Sequence, residues 1–299
     1  MGVEAFQARR GALPLSGKPR WMPGHGPAPS SGRASRPVSI SIVTATLNAE
    51  RFLPDCVEAV RQQVGDGFTV EHVVVDGGSR DRTVEIARSA GCVVLEGRDT
   101  GVFDALNKGV RAASGEVFAC LGADDAVGPG ALSAVAHWFN HRHSEWVVGV
   151  HRWVNGQGRS MGLMRPPPRW MPRQVFASLG WCCLSFEATY MTRDFFEHLG
   201  GYDTSFKIMA DYKLFAEALD VQPFDRLRHI LAIGCLHGDN VSAATGSSLY
   251  ITEQKRIAEA YGPRSRSVRQ VYRQALRVWL NGRNPGWFVG KRLFGARGS

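Results

Sequence analysis

The sequence predicts an α/β fold, a mostly parallel mixed sheet flanked by helices with a smaller second subdomain, and three observations predict it. From Pro37 onward, short β-branched runs alternate with helical stretches, the mark of βαβ units. Two of the apolar runs lead into carboxylates, Val73-Val74-Val75-Asp76 and Val117-Phe118-Ala119-Cys120-Leu121 before Asp124-Asp125, which puts acid at strand ends where open α/β sheets bind ligands. After about residue 140 the alternation loses its regularity.

Residues 39–44 read as the first strand. Asn48 is suited to cap a helix whose apolar face is Phe52, Leu53, Cys56, Val57 and Val60. Residues 70–76 form the next strand, and the Gly77-Gly78-Ser79 turn leads to a helix carrying Val84, Ile86 and Ala87, with Ser79 or Asp81 as its cap. A third strand at 92–95 precedes a loop at 96–101 and a helix at 102–113, which Gly115 stops. The strand that delivers Asp124 and Asp125 follows, and Pro129 opens a helix running through Phe139. Strands at 146–153 and 160–164 flank Asn155-Gly156-Gln157-Gly158, a hairpin turn. Pro166-Pro167-Pro168 breaks the chain, short mixed elements fill the rest, and no internal repeat is present.

The chain of 299 residues, 44% hydrophobic and 21% charged, has the composition of a soluble globular protein. Its net charge of +9 belongs to the ends: residues 1–36 and 261–299 together hold more than that excess, so 37–260 is net acidic. Six cysteines without C-x-x-C spacing, mostly in apolar stretches, are expected as reduced core thiols of a cytosolic protein. No apolar run is long enough to span a membrane, and the Pro/Gly/Ser/Arg-rich N-terminal segment lacks a signal core and is expected to be disordered. The expected organisation is a basic tail at 1–36, a first subdomain at 37–139, a second at 140–260 and a basic amphipathic tail at 261–299.

Adjacent carboxylates repel, so Asp124 and Asp125 together suggest a cation, Mg2+ or Mn2+, with a substrate phosphate completing the oxygen shell; a solvated turn is the structural alternative. Asp99, Asp104, Asn107 and Lys108 crowd residues 99–109. Asp104 and Lys108, four apart, would form an ordinary helical ion pair, while a helix start with Lys108 in its first turns suits a phosphate. His137, His141 and His143 have no Cys or acidic partner at ligand spacing and do not make a zinc site.

Four segments, 41–50 (Ser-Ile-Val-Thr-Ala-Thr-Leu-Asn-Ala-Glu), 73–83 (Val-Val-Val-Asp-Gly-Gly-Ser-Arg-Asp-Arg-Thr), 99–109 and 121–125, resemble in order and spacing the successive motifs of family 2 glycosyltransferases with a GT-A fold, in the colanic-acid and exopolysaccharide style. The resemblance covers roughly 37–240 and implies an inverting, metal-dependent transfer of sugar from a nucleotide-diphosphate donor, UDP by default or GDP, to a saccharide or lipid-linked acceptor. It implies that Thr44, Thr46, Glu50 and Asp76 line the nucleoside pocket and that Ser79, Asp104, Asn107 and Lys108 lie about the ribose and phosphates. It implies further that Asp124 and Asp125 serve as the acidic metal motif, here with Gly122 where an earlier acid is usual, so either carboxylate can be the primary ligand.

Gly200-Gly201-Tyr202-Asp203 and Ile208-Met209-Ala210-Asp211-Tyr212 resemble the acceptor-side motif, making Asp211 the candidate general base; an acid stabilised by the dipole of a helix at 211–219 is the alternative. The segment Leu236-His237-Gly238-Asp239-Asn240-Val241-Ser242 resembles a late donor-closing loop whose His237 would reach the diphosphate or cation. Glu187, in Phe186-Glu187-Ala188-Thr189-Tyr190, departs from the usual His-Gln and reads equally as a pocket residue or a strand-edge acid. In the tail, Val268, Val271, Tyr272, Ala275, Leu276 and Trp279 share a helical face near Arg269, Arg273 and Arg277, followed by Trp287, Phe288, Lys291 and Arg292. This suits either peripheral contact with an anionic membrane, at the inner face, or packing on the domain. A nucleotidyltransferase would want a Gly-rich basic loop after the first strand, which Asn48-Ala49-Glu50 is not. A polyanion-binding protein is the rival from another class; no nucleic-acid motif is present, and no nucleic-acid partner is expected.

Overall fold

The computed structural model describes residues 37–63, 65–169, 171–179, 182–236 and 247–283. Strand β1 (Val38–Thr46) runs parallel to β2 (Phe68–Asp76) on one side and to β4 (Val117–Cys120) on the other, with β3 (Val93–Glu96) parallel on the outer edge of β2. The register pairs Thr46 with Asp76, so two site candidates sit opposite one another at the carboxyl ends. Both faces of these strands are covered, which is why they read as continuous β-branched runs. Ile40, Ile42 and Val74 pack with helices α1 (Leu53–Arg61) and α4 (Ala131–His141), while Val43, Val73 and Val75 meet Leu106 and Val110 of α3 (Val102–Ala112) in the opposite core. Helix α2 (Thr83–Ser89) follows the β2 turn.

The less regular half does not build a sheet of its own. Strands β5 (Ala126–Val127), β6 (Trp146–Asn155), β8 (Thr189–Thr192) and β9 (Asp225–Leu236) continue the first one in the order β3-β2-β1-β4-β8-β6-β9-β5, with β7 (Ser160–Met164) hairpinned onto β6. Beyond β4 the neighbours are antiparallel except for β6 with β9. The 155–158 turn forms as the sequence predicts, Asn155 Oδ1 accepting from the backbone N–H groups of Gln157 and Arg159. Helices α5 (Arg173–Ser178), α6 (Arg193–His198), α7 (Ala210–Val221), α8 (Ser248–Tyr261) and α9 (Arg266–Arg283) complete the described residues. All six cysteines are thiols, with no disulfide among the described residues.

One expected cap is corrected and one of two alternatives is chosen. Asn48 does not cap α1, which starts after Phe52 without a side-chain cap; it takes a left-handed φ of 50° and its Oδ1 accepts from Arg80 N at 2.9 Å, stitching the β1 loop to the β2 loop. Asn is among the few non-glycine residues enriched in this conformation. At α2, Asp81 rather than Ser79 receives the Thr83 N–H, at 3.0 Å, because Ser79 is engaged with Asp76 and Asn48.

Helix α3 approaches the sheet so closely that a Cβ at Gly109 would overlap Val43 and Val75. A Gly109→Val change should therefore lose about 1–3 kcal/mol through overpacking, whereas Gly97→Ala, which faces open space, should stay within about 0.5 kcal/mol of the parent. Urea midpoints at constant m-value check both.

Candidate active site

Asp76 closes β2 with only 1% of its surface exposed. Its Oδ1 accepts from Gly78 N (3.0 Å) and Ser79 N (2.8 Å), and its Oδ2 from Ser79 Oγ (2.5 Å) and Thr46 Oγ1 (3.1 Å). Four donors occupy the lone-pair directions of one carboxylate, so Asp76 first of all holds the turn that shapes the crevice. Glu50 is exposed and Glu50 Oε2 accepts from Arg82 N at 3.1 Å, while Glu50 N donates to Asp81 Oδ2 at 3.1 Å. Thr44 is not brought to the crevice: it is wholly buried, 2.9 Å from His72 Nε2, inside the sheet. Burial there lowers the His72 pKa to about 4, so the pair is a neutral hydrogen bond at physiological pH.

In residues 99–109 the ammonium of Lys108 is held by Asp99 Oδ1 (2.5 Å), Arg98 O (3.0 Å) and Asp104 Oδ2 (3.1 Å). Three acceptors use its three N–H bonds, so the phosphate reading of Lys108 gives way to a positioning one. Asp104 also accepts from Thr100 N at 3.0 Å, and that bond followed by Lys108 holds its carboxyl below the usual range. Asp99 is the residue that the sequence named without giving it a role. Its side chain is 8% exposed, and Oδ2 is buried with no hydrogen-bond partner, 3.5 Å from the point where a Cβ on Gly77 would stand. An orphaned carboxylate oxygen beside the Asp76 turn is a ready acceptor for a ligand N–H or O–H.

Asn107 is not available to a nucleotide. It is 7% exposed, its Nδ2 donates to Tyr202 O at 2.8 Å and its Oδ1 accepts from Tyr202 N at 2.9 Å. This two-bond clasp fastens the 99–109 motif to the Gly200-Gly201-Tyr202 turn, where Gly201 has φ 75°.

Asp124 and Asp125 follow β4, whose chain is tied to β1 by Leu121 N donating to Val43 O at 2.9 Å. Both carboxylates fold back over Gly122: Asp125 Oδ2 and Asp124 Oδ1 lie 2.7 Å and 2.8 Å from where a Cβ on Gly122 would stand. The missing side chain makes the space in which two carboxylates converge. Asp125 is 6% exposed and accepts at Oδ1 from Cys235 N of β9 at 3.1 Å, whereas Asp124 is half-buried. Among the described residues no three His, Cys, Asp or Glu groups gather to hold a metal by themselves. Two convergent carboxylates fit a hard cation that takes its other oxygens from phosphate and water.

Asp211 occupies the first turn of α7. Burial pushes its carboxyl up to about 7, the Tyr212 backbone N–H opposing this and the charge of Glu187 adding to it. Glu187 accepts from Ser185 Oγ (2.8 Å), and its Oε2 lies 3.4 Å from His151 Nδ1. Burial works against its charge, yet the His151 and Ser185 contacts hold its carboxyl below the usual range. The Tyr202 hydroxyl lies 3.6 Å from Cys120 Sγ at the end of β4, and burial first of all, with the charges of Cys120 and Asp211 adding to it, pushes the Tyr202 phenol well up.

Glu253, on α8, has no motif to announce it. It is 1% exposed and accepts from Lys207 N (2.6 Å), Ile208 N (3.0 Å) and Met209 N (2.9 Å), fixing the loop that delivers Asp211. Its one sequence signal is an acid among the inward positions of an amphipathic helix, beside Ile257. His237 and the rest of the late loop, 237–246, lie outside the described residues.

The model of the family described as Glycosyl transferase family 2 matches residues 41–200, more than half of the chain. The chain is similar to a PGL/p-HBAD biosynthesis glycosyltransferase of Mycobacterium bovis BCG and of Mycobacterium tuberculosis, 32% identical over 183 residues that cover 58% of this chain and 66% of the relative, just under two thirds of its length. Among solved structures it resembles a mannosyltransferase from Pyrobaculum calidifontis in complex with GDP-Man and Mn2+ (TM-score 0.56, 18% identity, 91% of this chain and 78% of the other). It also resembles S. aureus TarS 1-349 in complex with UDP-GlcNAc (TM-score 0.57, 16% identity, 84% and 79%). These likenesses identify the curled mixed sheet as the GT-A fold.

Removing the Asn107 clasp leaves two buried backbone groups of Tyr202 without partners, each loss costing roughly 1–3 kcal/mol. Asn107→Ala should accordingly lower stability by about 2–4 kcal/mol, read by thermal and urea unfolding.

Proposed function

This chain belongs to glycosyl transferase family 2, and from that premise we propose an inverting, divalent-cation-dependent transferase that moves a sugar from a nucleotide-diphosphate donor to an acceptor hydroxyl. The observation that carries the reading is the gathering of the Asp76 turn, the Asp99 oxygen and the Asp124–Asp125 pair at the ends of adjacent parallel strands, with the buried acid Asp211 in the first turn of α7. UDP is the favoured nucleotide and GDP the alternative; the solved neighbours were captured with UDP-GlcNAc and with GDP-Man. Asp99 Oδ2 would accept a hydrogen bond from the nucleoside, with Thr46, Ser79 and Glu50 shaping the turns around it.

A cation, Mg2+ or Mn2+, held by Asp124 and Asp125 and approached by His237, would neutralise charge growing on the departing diphosphate. Asp211 takes the proton of the acceptor hydroxyl as its oxygen bonds to the anomeric carbon, on the face opposite the leaving diphosphate, so configuration inverts. A pKa raised toward 7 suits that task, because a base too weakly basic would not draw the proton. The acceptor proposed is a saccharide or lipid-linked hydroxyl in polysaccharide or glycolipid assembly, of the exopolysaccharide style, handled in the cytoplasm. Residues 37–139 would serve the donor and 140–260 the acceptor.

Four measurements test this. Asp211→Asn should lower kcat about 10²- to 10⁴-fold with UDP binding intact, and Asp124→Asn should weaken Mn2+-dependent UDP binding in a thermal-shift screen of UDP, GDP and dTDP sugars; parental turnover in both variants would overturn the proposal. kcat/KM should rise with pH through an ionisation near 7. Folding linkage runs the other way: the native state keeps the Asp211 proton that the unfolded chain releases near pH 4, so this group makes stability fall as pH rises from about 4 to about 7, and Asp211→Asn should remove that slope.

A further inference from the structure

Helix α9 leaves several described apolar side chains in solvent. A surface helix ordinarily packs its apolar stripe and leaves its charges in water. Here Val268, Val271, Tyr272 and Val278 are 39%, 65%, 36% and 73% exposed, and Ala275 between them is exposed as well. Their spacing puts them on one arc of the helix. On the other side, Arg273 Nε donates to Ser178 O of α5 at 3.2 Å, and Arg269 Nη1 donates to Pro263 O at 2.6 Å and Arg264 O at 3.2 Å in the turn before the helix. Exposed stripes of this kind mark a docking face.

Charge decides the occupant. Helix α9 carries five arginines and no acid, and residues 261–299 contain no Asp or Glu at all. A second copy seated stripe to stripe would bring two acid-free basic helices together, and the chain's own 284–299, with Lys291, Arg292 and Arg297, has the same sign. An anionic surface has the opposite one. No helix among the described residues is long and apolar enough to cross a membrane, so the element would lie in the interface plane.

We propose that the Val268–Val271–Tyr272–Ala275–Val278 stripe of α9 docks the protein on an anionic lipid bilayer. Docking brings the acceptor side to that surface: α9 rests on α5, and the Phe176 carbonyl of α5 accepts from the hydroxyl of Tyr212 at 2.5 Å, the residue after Asp211. The proposal goes beyond the transferase reading and stands without it.

The test is flotation of the full chain with phosphatidylcholine vesicles containing or lacking phosphatidylglycerol, for the parent and for Val271→Asp/Val278→Asp. The parent should bind only the anionic vesicles, more weakly as salt rises, and the variant should bind about tenfold less or worse. Its melting temperature and its UDP-dependent thermal shift should match the parent, since both positions are solvent-exposed. Binding that is absent in the parent, undiminished in the variant or equal on neutral vesicles would overturn the proposal. So would a dimer by analytical ultracentrifugation that the variant dissolves, which would assign the stripe to a second copy.

Discussion

The paired hydrogen bonds between the Asn107 amide and the Tyr202 peptide are the constraint on which the site depends. They join residues 95 apart in sequence, deep enough that water cannot substitute for either bond. On one side of this joint stands α3, pressed against β1 and β2 through Gly109 and carrying the Asp99–Lys108–Asp104 set beside its first turns. On the other stands the Gly200–Gly201 turn, from which the chain runs through Asp203 to the Glu253-anchored loop and Asp211. Neither half could slide without breaking both bonds, so one amide ties the Asp99–Lys108–Asp104 set to the segment that leads to Asp211.

The parts of this arrangement that were legible in the sequence are those written in local pattern. Runs such as Val73-Val74-Val75-Asp76 announce a strand buried on both faces and its charged end, and the order of four short motifs led to the family. Roles made by distant partners were not legible. Asn107 looked like a ligand residue because its partner is a main-chain peptide from another motif, and Lys108 looked like a phosphate ligand because Asp99 and the Arg98 carbonyl are invisible to helical spacing. Asn48 looked like a helix cap, yet it bonds the backbone of a loop 32 residues away. Glu253 left almost no trace, since three N–H groups gathered from another segment have no sequence signature.

Asp211 shows how environment outweighs residue type. An acid in the first turn of a helix is ordinarily stabilised as its anion. Burial beside Glu187, itself kept ionised by His151 and Ser185, reverses that preference. The sequence left Glu187 open between a pocket residue and a strand-edge acid, and its weight lies in being a second negative charge near the first. The base of the proposed reaction is tuned by two elements, β8's approach and α7's start, that the chain places 24 residues apart.

Gly122 gives this geometry an evolutionary cost. The volume that the Asp124 and Asp125 side chains fill is the volume a substituent on residue 122 would need, so an acid restored at that position by a single codon change could not simply be added to the existing pair. It would require the Asp124 and Asp125 carboxylates to turn aside, and a turn of Asp125 would put its bond from Cys235 N of β9 at stake.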